Sequence, residues 1–118
     1  MSFVDGFVVA VPTESRAAYG EHAAQFAAIF REYGATRVVE AWGADVPEGA
    51  VTSFPMAVKC AAGETVVFSW IEWPDRATRD AAMAKMRTDP RFEDAGPMPF
   101  DGKRMIMGGF EPILDVGG

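Results

Sequence analysis

A chain of 118 residues is the size of one domain, and 49% hydrophobic with 12% aromatic content supplies enough apolar surface for a real core, which excludes disorder. The 17 acidic and 11 basic residues leave a formal charge of −6 with no Lys/Arg cluster, so a nucleic-acid partner is excluded and the charge serves solubility. No apolar run has the roughly 18 to 20 residues of a membrane-spanning helix, the start Met1-Ser2-Phe3-Val4-Asp5 is no secretory leader, and the single Cys60 closes no internal disulfide, so a soluble, cytoplasmic protein without membrane contact is expected.

Phe3 to Val11 is rich in β-branched and aromatic side chains and stops at Pro12, which cannot donate a ladder hydrogen bond: a first strand. Thr13 is the expected N-cap of a helix, because Tyr19, Ala23, Phe26, Phe30 and Tyr33 step by four and three along one helical face until Gly34. Thr36 to Trp42 reads as a short strand, followed by a loop over Gly43 to Gly49.

The segment Val51 to Ala62 is ambiguous. Met56 to Cys60 reads as strand and Ala61 to Glu64 as a turn, which makes residues 51–62 either a fifth strand or an edge extension reaching a partner subunit. Thr65 to Trp73 is the strongest strand signal in the chain. Pro74-Asp75 opens a second helix, capped by Asp75, that runs through Ala82, Met83 and Met86 to the break at Asp89-Pro90. Arg91 to Pro99 reads as loop, Asp101-Gly102 as a turn, and Arg104 to Leu114 as a last strand before a Gly-Gly end.

Strand, helix and strand therefore occur twice, with Val11-Pro12 and Trp73-Pro74 at matching points. Two split βαβ units of the usual right hand predict an α+β, ferredoxin-like βαββαβ sandwich: one domain over residues 1–118, one antiparallel sheet and both helices on one face. The other face needs a cover, and a second copy of the chain supplies it, giving a dimeric α/β barrel.

Alternation assigns Val4, Gly6, Val8 and Ala10 to the helix side, where small aliphatic side chains fit, and Asp5, Phe7 and Val9 to the open side. Val38, Glu40, Trp42, Phe68, Trp70, Glu72, Arg104, Ile106 and Phe110 join the open side, with a bulge expected at Gly108-Gly109. Two readings of this surface stay open. It is a solid dimer core with Asp5 or Glu40 paired to Arg104, or it is a cavity lined by Asp5, Phe7, Glu40, Trp42, Phe68, Trp70, Glu72 and Arg104 for a small organic ligand.

Familiar catalytic constellations are missing. One His and one Cys cannot make a metal site, so neither metal nor cofactor is expected. His22 lies beside the apolar stripe of the first helix and is a minor candidate as the sole imidazole. Cys60 has no histidine motif beside it, and Ser53 and Ser69 lack a glycine-flanked elbow. Asp5, Glu40 and Glu72 are the acids available for proton transfer.

Four motifs, Phe3 to Val9, Val51 to Pro55, Thr65 to Trp70 and Met98 to Ile106, together resemble the YbaA-like family of bacterial proteins of unknown function. The similarity runs from about Phe3 to Glu111, and Met107 departs from an aromatic residue associated with the family. The resemblance implies the dimeric α/β-barrel superfamily, whose members include cofactor-free monooxygenases, haem-degrading enzymes, lactone isomerases and stress-induced proteins. Fold analogy selects none of these. The expectation is a homodimer that binds a small molecule, with oxidation of an aromatic substrate as one activity; the alternative is a non-catalytic structural or stress-related homodimer.

Overall fold

The computed structural model describes residues 2–117. Four strands, β1 (Phe3–Pro12), β2 (Arg37–Trp42), β3 (Glu64–Trp73) and β4 (Ile106–Phe110), form one antiparallel sheet in the order β2-β3-β1-β4. Helix α1 (Arg16–Glu32) connects β1 to β2, and α3 (Arg76–Met86) lies between β3 and β4. Two split βαβ units with the second strand pair on the outside are the ferredoxin-like arrangement. The sheet is open, with β2 and β4 as its edges, and not a closed barrel.

Local chemistry explains most boundaries. Asp75 caps α3, accepting the Thr78 amide at 2.7 Å. Gly34 ends α1 at φ +112°, and a side chain there would meet Thr78 Cγ2 at 2.8 Å, so only glycine allows both the turn and the approach of α3. Thr13 is not the cap expected of it. A 3₁₀ turn over Thr13–Ser15 precedes α1, no side chain caps either start, and the Thr13 hydroxyl shares a 2.7 Å hydrogen bond with Thr65 across the strands.

The ambiguous segment is neither a fifth strand nor an edge extension. Phe54–Ala57 is a helical turn, α2, with Ser53 Oγ accepting from the Met56 amide at 3.1 Å and Pro55 presetting its first turn. Its purpose is to seat Val58, fully buried, against Val8, Ala10 and Val66 on the sheet. Burying such a side chain is worth about 1.5 to 3 kcal/mol, enough to override the short strand pattern of Met56 to Cys60. A second helical turn, α4 (Pro90–Glu93), lies within the expected loop and is capped by Asp89. The last strand is shorter than expected, because residues 102–104 form a 3₁₀ turn and β4 ends at Phe110.

Alternation along the strands is regular, but the sides of β1 and β2 are the reverse of those expected. Phe3, Phe7, Val9 and Val11 face the helices, where Phe3 and Trp73 pack with Ile29, Tyr33 and Ala82, and Val9 and Val11 with Tyr19 and Val67. The helix layer needs bulky filling, whereas the small set on the other side makes room. Val58 sits over Val8 and Ala10, and the Phe110 ring lies 3.5 Å from where a Gly6 side chain would begin and 3.3 Å from one at Gly108. No bulge occurs at Gly108-Gly109, since Val4 to Val8 pair continuously with Phe110 to Ile106. Gly109 is required instead because a Cβ would lie 2.7 Å from the Phe3 ring.

Candidate functional site: the uncovered sheet face

Register decides which side chains share the open face. Val4 lies opposite Glu72 and Phe110, Gly6 opposite Trp70 and Gly108, and Val8 opposite Phe68 and Ile106, while β2 adds Arg37, Val39 and Ala41 opposite Glu72, Trp70 and Phe68. An aromatic wall runs along it. The Phe68 ring centroid is 5.7 Å from that of Trp70 and 5.8 Å from that of Phe54, which α2 brings to the same face. Trp70 is held by its edge, donating Nε1 to Glu72 Oε2 at 2.8 Å, and Arg37 Nη1 reaches the same oxygen at 3.9 Å. Phe54, Phe68, Ile106 and Phe110 are 44 to 60% exposed, an apolar surface that no part of the described chain covers.

Of the eight residues expected in a common cavity, Phe68, Trp70 and Glu72 meet along this wall, Asp5, Phe7, Glu40 and Trp42 lie on the helix side, and Arg104 is held apart in a clamp at the Glu64 end of β3. Asp5 is buried on the helix side, where its carboxylate accepts Trp73 Nε1 at 2.9 Å and Arg79 Nε and Nη2 at 2.8 to 3.2 Å. Phe7 packs with the Phe3 and Trp73 cluster. Trp42 joins Tyr19, Val9 and Val67, with the Arg16 guanidinium 5.5 Å above its ring. Arg104 pairs with neither Asp5 nor Glu40: it grips Glu64 with two bonds of 2.7 and 2.8 Å, Asp101 at 3.1 Å and the Lys59 carbonyl at 2.9 Å. That clamp ties the 59–64 turn to the 101–104 turn. It holds the Glu64 carboxyl down at about 2.

Glu40 stands on the edge strand and accepts the Tyr19 hydroxyl at 2.7 Å, beneath α1. Loss of water around this bond raises the Tyr19 phenol well above its ordinary value, with Glu40 adding to the effect, and lifts the Glu40 carboxyl against the pull of the Tyr19 and Ser69 hydroxyls. The pair lies on the helix side, away from the aromatic wall. His22 packs at a tilt against Phe26, ring centroids 4.7 Å apart, with Phe100 edge-on at 6.2 Å, and its buried Nε2 has no hydrogen-bond partner. Cys60 lies beside Val58, and burial pushes its thiol up, so it is a packing residue.

Sequence reasoning missed Arg79, Tyr19, Phe54 and Val58. Arg79 was findable, because it lies three and four residues before Ala82 and Met83 on the apolar stripe of α3, and an arginine on a buried stripe needs an acid. Ser53-Phe54-Pro55 was likewise a capping signature. Among the described residues no group of His, Cys, Asp and Glu could hold a metal ion.

The family described as "Protein of unknown function (DUF1428)" matches residues 2–102. The chain belongs to this family. The uncharacterized protein YbaA of Escherichia coli K12 is 60% identical over 116 residues, 98% of this chain and 99% of that one, and YbaA of Shigella flexneri matches equally. The YbaA-like resemblance carried by the sequence motifs therefore extends along nearly the whole chain. Among solved structures, a dimeric ferredoxin-like protein from an uncultured marine organism superposes with a TM-score of 0.57 over 98% of both chains at 12% identity, a likeness of fold alone. No helix among the described residues is long and apolar enough to cross a membrane.

Proposed function

We propose that this family member works in the cytoplasm as a homodimer whose sheet faces pair to form a dimeric α/β barrel, with a small aromatic molecule bound between them against Phe54, Phe68 and Trp70. The carrying observation is the aromatic wall itself, in which Trp70 is fixed at its edge by Glu72 and keeps its ring face for stacking. The assembly matters because Phe54 and Phe68 stand about half exposed on an open face, where a partner would enclose a ligand; two depressions of about 600 and 460 Å³ lie on the helix layer instead. The ferredoxin-like neighbour that is dimeric supports the same assembly. RNA has no place in this reading, since Arg76 and Arg79, basic residues of α3, are engaged by Asp80 and Asp5.

A reaction such as oxidation of the aromatic molecule finds less support than binding. Asp5 and Glu40 are occupied on the helix side, which leaves Glu72 as the one acid on the wall, already bonded to Trp70. The rival, a non-catalytic structural or stress-related dimer, draws on that same satisfaction: Trp70, Glu72 and Arg37 answer one another without a ligand.

Light scattering at micromolar concentration, followed by titration with 2-naphthol as a neutral bicyclic probe, tests the reading. A dimeric mass with saturable quenching of tryptophan fluorescence, lost in Trp70→Ala, is expected. A monomer with intact circular dichroism defeats the assembly, and a dimer that ignores the probe favours the structural rival.

A further inference from the structure

The chain continues past the sheet as an arm. β4 ends at Phe110, and Pro112, two residues on, has no N–H to lend to a longer ladder. Beyond it Ile113, Leu114 and Val116 are 99, 79 and 85% exposed, three large aliphatic side chains with little or no contact in their own subunit. Such a run, following an apolar sheet face that is itself about half exposed, is a surface of the kind that marks an interface.

Area indicates what the arm does. At about 3.3 Å per residue and about 4.8 Å between strands, the four strands present a projected face of about 500 Å², and the corner at Val8, Ala10 and Val66 is already under Val58. A stable interface buries about 800 Å² on each partner. The accessible area of so uneven a face exceeds its projection, so sheet pairing alone lies near the lower margin of a stable interface, and the exposed arm supplies further apolar area. Six residues from Glu111 to Val116 span about 20 Å when extended, while stacked sheets lie about 10 Å apart, so the arm can cross to the other subunit and still lay its aliphatic residues down.

We infer that Glu111 to Val116 of each protomer docks on the second copy of the chain, as an exchanged arm that closes the margin of the paired sheet faces. The inference rests on the sheet-pairing reading and adds to it a specific contact whose loss is measurable. The arm is a lock: it enlarges the interface of the paired sheets and lines the rim of the space beside Phe68 and Trp70 with the partner's aliphatic side chains.

Sedimentation equilibrium separates the two claims. The chain shortened after Glu111, and the double variant Ile113→Asp/Leu114→Asp, should keep the wild-type circular dichroism and raise the dimer dissociation constant at least tenfold. Wild-type dissociation constants for both variants would overturn the arm while leaving the paired sheets standing. A monomeric wild type would instead overturn sheet pairing, and the arm with it. To establish which subunit receives the arm, Leu114→Cys in a Cys60→Ser background is labelled with a benzophenone maleimide and irradiated. A product of twice the chain mass is expected, and crosslinks confined to one chain overturn the exchange.

Discussion

Arg79 reaches from α3 into the core and grips the Asp5 carboxylate of β1 with Nε and Nη2, the closer contact being 2.8 Å, while Trp73 Nε1 donates to the same carboxylate. Asp5 is 5% exposed and Trp73 fully buried, so the acid that alternation aimed at an open cavity instead fastens a helix to the sheet. Arg79→Met should cost about 3 kcal/mol in urea unfolding, the lower end for a broken buried ion pair because part of the guanidinium still meets water. Asp5→Leu with Arg79→Met should recover all but the orphaned Trp73 hydrogen bond, about 1 kcal/mol. A single variant as stable as wild type would show that solvent, not Asp5, holds the guanidinium.

How much of this was legible follows from what each signal measures. Strand and helix positions depend on local period and punctuation, and Val11-Pro12, Gly34, Trp73-Pro74-Asp75 and Asp89-Pro90 marked them well. Which face of a strand looks inward depends on what lies opposite, and period two is blind to it: Asp5, Phe7 and Val9 alternate as cleanly with Val4, Gly6 and Val8 in either orientation. Phe68, Trp70 and Glu72 landed on the open face because β3 was assigned the right side, whereas the sides of β1 and β2 were exchanged. Arg104 was misplaced for another reason. Its strand begins two residues later than expected, so a side chain belonging to a 3₁₀ turn and the Glu64 clamp was projected onto the sheet.

Acid should open that clamp. Arg104 and the Ala61 amide keep Glu64 ionised down to about 2, against 4.5 for a free glutamate. A depressed carboxyl contributes stability that is complete above about pH 4.5 and is lost as pH falls towards 2. Arg104→Met should therefore lower the urea midpoint at pH 7 and converge on wild type by pH 2. An undiminished difference at pH 2 would assign the effect to lost packing of the arginine stem.

Both tyrosines should resist ionisation. Burial raises each phenol, with hydrogen bonds to Glu40 for Tyr19 and to Asp89 for Tyr33 adding to it. A raised phenol in the fold gives stability that is complete below pH 10 and declines as the unfolded chain begins to ionise above it. Absorbance at 295 nm should stay flat through pH 10 and rise only together with loss of circular dichroism. Tyr19→Phe should cost about 1 to 2 kcal/mol at pH 7. Ionisation of either phenol at its ordinary value in a folded protein would contradict these bonds.

His22 gives the opposite dependence. Its Nε2 is buried without a partner between Phe26 and Phe100, and desolvation lowers its pKa from 6.5. The folded chain then binds fewer protons than the unfolded one, so stability is complete above about pH 6.5 and falls as acid protonates the unfolded imidazole first. Replacing the ring with an aliphatic group removes both the unanswered nitrogen and this titration. His22→Leu should gain about 1 kcal/mol at pH 8, because an unmet buried polar atom costs about that much or more, and the gain should widen between pH 6.5 and 5. Equal stability of the two proteins at pH 8 and 5 would mean that water already reaches Nε2, and a less stable variant at both would mean that the packing of the imidazole against Phe26 outweighs its stranded nitrogen.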